Sequence, residues 1–365
     1  REGARLDDGI RKDSDLQKEL RKRWQPPALL ARYPYPATIT ALAFSPDGKT
    51  LVSSGHHELA VWDSQTGQLV KRVHIRARRA MSMVFLPDGK LVVAGGRPGE
   101  EGDVSVYNIN ANSGKKEQGV TILDGVNDKS VLISRLLEAE DEVLSVAISK
   151  DGKKLATGGC DRMVNVWDIG QGIEKAVMET PIENHADWVF SVQFSPDGKH
   201  LYTSSRDKTA KVWDLKAKES VLTFPDHQNT VYAVVPKADG KGGYSVGEDN
   251  QLRLWGNTGD QAGKQIKNVG AHGKAVLKVL AIAGQPLLAT CGADGVVKVW
   301  NADSFAAVRT LENLGDQVYS LAVSPDQKWI AAGSFNGEVK IWKLADGGLI
   351  KGFNASPGLA TAAKK

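Results

Sequence analysis

Cysteine is scarce in this chain. Its 365 residues hold two, Cys160 and Cys291, with no CxxC, no CxxCH and no His/Cys cluster at zinc spacing. That removes the motif-based zinc, redox and haem readings for these residues. The two thiols fall in separate repeats, too far apart to pair; they fit a reducing compartment, though two buried thiols also survive outside one. Long apolar runs are missing as well: no stretch of about 18 apolar residues is present, so no segment has the length of a spanning helix. Charge of one sign is not in excess, with 47 Lys and Arg against 43 Asp and Glu for a net +4. A dedicated nucleic-acid binder would show a strong basic face, so this balance argues against one. The chain opens on Arg1, so either a leader has been removed or this is a piece of a longer protein.

What is present is a repeat. Its clearest copy is VFSVQFSPDGKHLYTSSRDKTAKVWDLKAKESVLTF, residues 189 to 224. An apolar strand leads into a Ser-Pro-Asp-Gly turn, a second strand, a tight polar turn and a strand ending in Val-Trp-Asp. The aromatic of that third strand recurs at Trp62, Tyr107, Trp167, Trp213, Trp255, Trp300 and Trp342, at spacings of 45, 60, 46, 42, 45 and 42. A period in the forties with four strands per unit predicts an all-β, seven-bladed β-propeller of four-stranded antiparallel blades. Because each blade buries its faces on its neighbours, the repeats form one closed domain despite the length. The turn appears as Ser45-Pro46-Asp47-Gly48 and Ser195-Pro196-Asp197-Gly198, with variants at 86–89, 149–152 and 324–327. Proline presets φ, Asp tolerates the bridge region and Gly takes positive φ, so these are hairpin connectors and not phosphate loops.

The ends and one insertion break the repeat. Residues 1–37 read as an N-terminal extension and linker, 38–355 as the propeller and 356–365 as a flexible tail. Capping-box spacing at Ser14 and Gln17 predicts a short helix from Asp15 to Arg23, stopped by Pro26-Pro27, whose Leu16/Leu20/Trp24 stripe docks on the propeller flank; a frayed extension is the competing reading. About fifteen extra residues separate Tyr107 from Val143. Ser130–Leu137 then reads as the outer strand of blade 2, and 109–129 as an excursion between its third and fourth strands. Blade 7 has its own fourth strand, LIKGF, while ALLARY at 28–33 remains a candidate to clip the ring shut.

The repeated Val-Trp-Asp at 61–63, 166–168 and 212–214, with Asp161, Asp207, Asp249 and Asp294 six residues before the aromatic, resembles the WD-repeat propellers over residues 38 to 355. The resemblance implies structural tetrads in three blades. These are His185, Thr203, Asp207 and Trp213; His227, Ser245, Asp249 and Trp255; and His272, Thr290, Asp294 and Trp300. In such a tetrad the groups hydrogen-bond one another and end at the indole N–H, which rigidifies the blade. The Ser/Thr-His-Asp composition is therefore structural and not catalytic. Blades 1, 2, 3 and 7 lack the full set and are expected to be less rigid. A narrower likeness also exists: REGARLDDG, ELRKRWQPPA and GGRPGEEGDV are similar to bacterial WD-repeat domains fused behind a c-type cytochrome domain. That likeness implies a periplasmic or cell-envelope protein; without it a cytoplasmic one is expected. No cofactor is expected in this chain, and haem only in an upstream domain.

By repeat register the inner ring is Thr40, Met81, Leu144, Phe190, Tyr232, Leu277 and Tyr319, polar only at Thr40 and the tyrosine hydroxyls. Trp188, Phe190, Arg206, Tyr232, Tyr319 and Phe335 are expected to neighbour one another on one sector of the top face. Aromatics and Arg form interface hot spots, so the expectation is a monomeric, non-catalytic scaffold binding a protein or peptide there, with no nucleic acid, membrane span or metal. The competing reading is that these rings plug the channel. The rivals are an accessory domain of a cytochrome electron-transfer protein and a ligand- or metal-binding propeller enzyme, which needs convergent ionisable groups. KRVHIRARR, residues 71–79, is the one concentrated basic run, with Arg72, His74, Arg76 and Arg78 on one strand face; it reads as a solvated outer strand that discourages edge pairing, or else as a patch for acidic lipid, nucleic acid or an acidic partner. His56, His57 and Glu58 suggest metal, but consecutive strand residues point to opposite faces, so the two histidines are poorly placed to share an ion.

Overall fold

The computed structural model describes residues 24–29, 34–179, 181–183 and 185–357. The proposed helix at 15–23, most of ALLARY and the end of the tail lie outside them. Seven sheets follow one another along the chain. Blade 1 holds β1 (Leu42–Phe44), β2 (Thr50–Ser54), β3 (Glu58–Asp63) and β4 (Leu69–His74); blade 2 holds β5 (Arg79–Phe85), β6 (Leu91–Arg97), β7 (Glu101–Tyr107) and, after an inserted hairpin of β8 (Lys115–Glu117) and β9 (Val120–Asp124), β10 (Leu132–Ala139). Blade 3 comprises β11 (Val143–Ile148), β12 (Lys154–Gly159), β13 (Met163–Asp168) and an outer position split into β14 (Val177–Met178) and β15 (Ile182–Glu183). Pro181, which has no N–H to give a ladder, stands at that break. Blade 4 is β16 (Val189–Phe194), β17 (His200–Ser205), β18 (Ala210–Asp214) and β19 (Glu219–Phe224); blade 5 is β20 (Val231–Pro236), β21 (Gly242–Gly247), β22 (Gln251–Gly256) and β23 (Gln265–Gly270). Blade 6 is β24 (Val276–Ile282), β25 (Leu287–Gly292), β26 (Val297–Asn301) and β27 (Ala307–Thr310), and blade 7 is β28 (Val318–Val323), β29 (Trp329–Ser334), β30 (Glu338–Lys343) and β31 (Leu349–Asn354).

Local chemistry sets each hairpin. In the turn after β16, Ser195 Oγ donates to Asp197 Oδ1 at 2.6 Å and the Lys199 N–H donates to the same oxygen at 3.1 Å. Gly198 closes it at φ 70°, a left-handed conformation that glycine adopts without steric cost. The third-strand aromatics are wedges: Trp167, Trp213, Trp255 and Trp342 are fully buried, and each contributes roughly 4–6 kcal/mol by area removed from water. Gly243 shows how tightly they fit, because a Cβ there would meet the Trp255 ring at 2.5 Å.

Blade 1 meets blade 7, so the ring closes. Closure does not use a shared strand: β31 completes blade 7 as its own fourth strand. The N-terminal segment instead stitches the seam. The Ile39 N–H donates to Ser334 O at 3.1 Å, Ser320 Oγ donates to Ile39 O at 2.8 Å, and the Ala37 N–H donates to Ser356 Oγ at 2.8 Å. Ile39 itself is fully buried in a core shared by the two blades.

The insertion belongs spatially to the wrong blade. It does return as β10 to pair with β7, as expected, but its hairpin leaves blade 2 and adds to blade 1, where β9 runs parallel to β4. The basic run is therefore not a solvated edge. β4 is covered by β9, and Arg72 and Arg76 are buried in ion pairs with Glu58 at 2.6 Å and Glu101 at 3.0 Å. Burying a guanidinium is tolerable only with such a partner; Arg78 and Arg79 remain exposed.

Candidate partner-binding face

In every blade the connection entering the first strand and the turn between second and third strands share one end of the sheet. That end is the top face, and the Ser-Pro-Asp-Gly turns mark the opposite one. Within the blades, the tetrads have the geometry of closed relays. Trp213 Nε1–H donates to Thr203 Oγ1 at 2.8 Å, which lies 2.7 Å from His185 Nε2, while His185 Nδ1 lies 2.7 Å from Asp207 Oδ2. One proton per link satisfies the chain only if Thr203 donates to Nε2 and Nδ1–H donates to the carboxylate. The sets on Ser245 and Thr290 repeat this, with Trp255 Nε1 at 3.2 Å and Trp300 Nε1 at 2.8 Å from the hydroxyl, His227 Nε2 at 2.7 Å and His272 Nε2 at 2.8 Å from it, and each His Nδ1 beside Asp249 or Asp294. Arg253 also pairs with Asp249 at 2.7 Å. Burial alone would raise the Asp249 carboxyl, but hydrogen bonding from His227 and the Arg253 charge outweigh it and hold the group at about 2. Thr203, Ser245 and Thr290 are all 0% exposed, so none of these hydroxyls is presented to a substrate. Blades without the set leave polar groups over: Thr157 Oγ1 in blade 3 and Trp342 Nε1 in blade 7 are buried without a partner.

The top face carries an aromatic ladder on blades 4 and 5. The Arg206 guanidinium lies 4.8 Å from the Trp188 ring centroid, Trp188 is 6.3 Å from Phe190, and Phe190 meets Tyr232 edge-on at 5.2 Å. Trp188 is 37% exposed. Tyr232 Oη donates to Glu248 at 3.5 Å, and burial followed by that carboxylate's charge pushes the phenol up. Tyr319 and Phe335 form a second pair, 6.3 Å apart on blade 7, with Phe335 51% exposed. The ring contacts among the six expected residues thus fall into two groups, one on blades 4 and 5 and one on blade 7, near enough that Tyr319 adds to the upward push on the Tyr232 phenol. Thr40 does not offer a polar group to the channel: it is buried, donating to Ala80 O at 2.6 Å and 3.0 Å from Ser54 Oγ, so it ties blade 1 to blade 2.

The surroundings of Cys160 and the charge of Lys278 were not read from the sequence. Cys160 sits among the carboxylates of Asp141, Glu142, Asp161 and Asp187; burial first, then these charges, push its thiol up to about 12, so it is a poor nucleophile. Lys278 is a charge inside an inner strand, VLKVLAI, whose counterparts such as VFSVQF and VYSLAV have none. Burial lowers its pKa, and its ammonium has no hydrogen-bond or ion-pair partner among the described residues. The lone Lys at that register was the signal. His57 is no ligand: at φ 57° its Nδ1 lies 3.2 Å from Arg76 O, burial depresses it to about 4, and Glu58 is engaged by Arg72. No group of three metal-capable side chains occurs among the described residues, and no helix there is long and apolar enough to cross a membrane.

The incoming chain also reaches this face. Arg97 stacks 3.8 Å from the Trp24 centroid, the Arg76 guanidinium is 5.3 Å from it and donates to Trp24 O, and His74 Nε2 lies 2.9 Å from Pro27 O. Trp24 thus docks at the top rim of blades 1 and 2 and not on the flank expected for it; the helix, Leu16 and Leu20 lie outside the described residues.

The family model for the WD domain, G-beta repeat, matches residues 29–63, 131–168, 177–214, 218–256, 263–301 and 306–343. The first three strands of blade 2, where Tyr107 replaces the tryptophan, are passed over. Similar proteins include autophagy-related protein 16 of Arabidopsis thaliana, 28% identical over 316 residues covering 85% of this chain and 48% of that protein. Anaphase-promoting complex subunit cdh1 of Dictyostelium discoideum is 29% identical over 333 residues, 80% of this chain and 41% of its own length. A guanine nucleotide-binding protein subunit beta of Arabidopsis thaliana is 24% identical, covering 83% of this chain and 80% of that subunit. The chain spans less than half the length of the first two. These relatives are eukaryotic, and the bacterial cytochrome-fusion likeness has no counterpart among them.

Proposed function

Because the chain belongs to the WD domain, G-beta repeat family, we propose that it is a non-catalytic scaffold that binds a protein or peptide partner on its top face. The observation that carries this is the run Arg206–Trp188–Phe190–Tyr232, four contacting groups of the residue types that dominate interface energetics, partly open to solvent. Tyr319 and Phe335 extend the contact beyond blade 6. Asp187 and Glu248 flank the ladder and set polarity at its rim. In this reading the chain acts as a monomer, takes up no nucleic acid and needs no cofactor. One partner compatible with it is a domain preceding the propeller in the same polypeptide, a c-type cytochrome of the cell envelope among the candidates, because Trp24 and Pro27 bring the incoming chain onto this same face. A CxxCH motif in the upstream reading frame decides that point.

The test of the scaffold reading is Trp188→Ala beside Arg206→Ala. Proteins retained by the wild-type chain are lost from both variants while the melting temperature stays within about 2 °C, since half-exposed side chains contribute little to folding. An equal loss of stability, or unchanged retention, contradicts it.

A further inference from the structure

The opposite face holds a cleft of about 390 Å³ between blades 6 and 7, lined by Leu287, Arg309, Gln327, Lys328, Trp329 and Lys343 among others. Its charge is one-sided. Arg309 donates to a backbone carbonyl, Ala345 O, and neither it nor Lys343 has a carboxylate partner among the described residues. Lys328 has only its turn neighbour Asp326, at 3.4 Å. Beside the cations lies the half-buried indole of Trp329. The turn beneath is irregular in a telling way. Gly48, Gly152 and Gly198 occupy the left-handed position of the sister turns at φ 70°, whereas blade 7 keeps Gln327 there at φ 60°. Its amide oxygen is buried with no hydrogen-bond donor.

We propose that this cleft binds an acidic peptide segment of a partner protein: carboxylates pair with Arg309 and Lys343, and an apolar side chain rests on Trp329. Arg and Lys without internal counter-ions select negative charge. The indole selects a segment with an apolar residue over a bare anion. The site is independent of the top-face ladder and leaves it free.

The test uses the protein labelled with ¹⁵N-tryptophan, the Trp329 indole resonance being assigned with Trp329→Phe. The probes are acetyl-Glu-Glu-Leu-Glu-Glu-amide, its all-Gln counterpart and inorganic phosphate, each at physiological salt. The acidic peptide is expected to shift the Trp329 resonance saturably, the Gln peptide and phosphate not. Arg309→Ala with Lys343→Ala should weaken the peptide about tenfold, the loss of two partly exposed charge contacts. No shift with the acidic peptide, an equal shift with the Gln peptide, or the same shift with phosphate alone overturns the proposal, the last by making the cleft a simple anion site.

Discussion

Thr203→Val separates a tetrad from a residue that only resembles one. The substitution keeps volume and removes the hydroxyl on which Trp213 Nε1 and His185 Nε2 converge at 2.8 and 2.7 Å. Both nitrogens lie inside a blade core, where no water replaces the lost partner. Each orphaned group costs about 1–3 kcal/mol, and the added methyl returns less than about 1 kcal/mol, so the net is about 3 kcal/mol. At an unfolding entropy near 2.1 cal/mol/K per residue, a domain of roughly 300 residues loses about 5 °C in melting temperature for that amount. Thr157→Val supplies the control. Thr157 occupies the same register in blade 3, opposite Val146 as Thr203 is opposite Val192, and is equally buried, but its Oγ1 already lacks a partner. Removing an unsatisfied hydroxyl is neutral or stabilising. Differential scanning calorimetry of the two variants should therefore show a drop of about 5 °C for the first and none for the second. Equal losses would refute the idea that the relay, and not merely the volume, holds blade 4.

Further outcomes follow from other buried groups. Asp249, held at about 2 against 3.8 unfolded, stabilises the fold fully above its unfolded value and loses that contribution as pH falls through its folded one. The stability gap between wild type and Asp249→Asn should accordingly be constant above about pH 5 and shrink between pH 4 and 2, read by thermal melts across that range. Glu58→Gln leaves the Arg72 charge buried at an ion pair of 2.6 Å, costing about 3–5 kcal/mol. A melting temperature unchanged by that substitution would mean that Arg72 reaches solvent. Trp188→Ala, by contrast, should leave the melt untouched and remove the partner.

The ring was legible because its signals are local and repeated. An aromatic at the end of each third strand and the recurring Ser-Pro-Asp-Gly turn each specify their own hairpin, and neighbours then pack by default. The pairing of β9 with β4 was not legible, since a parallel ladder formed by an insertion from the next blade leaves no periodic mark in either segment. That one pairing also reversed the reading of the basic run. Arg72 looks solvated while β4 is an edge strand, and becomes a buried ion pair once β9 covers the edge and Glu58 supplies the counter-charge. The contacts among Trp188, Phe190, Arg206 and Tyr232 follow from repeat register, because equivalent positions along the strands and turns lie at the same end of neighbouring blades. Register did not reveal that Thr40 spends its hydroxyl on the next blade. Lys278 was visible in the sequence, but a single charge in an apolar strand stands out only when the seven inner strands are aligned.

The most direct test of the central claim, that the top face is where a partner lands, is site-specific photocrosslinking in the host cell. Benzoylphenylalanine is placed at Tyr232 in the ladder and, separately, at Val221, which is 56% exposed on the outer strand of blade 4. The account predicts a discrete crosslinked partner from position 232, lost on adding Arg206→Ala, and none from position 221. A partner captured from 221 and not from 232 would contradict it.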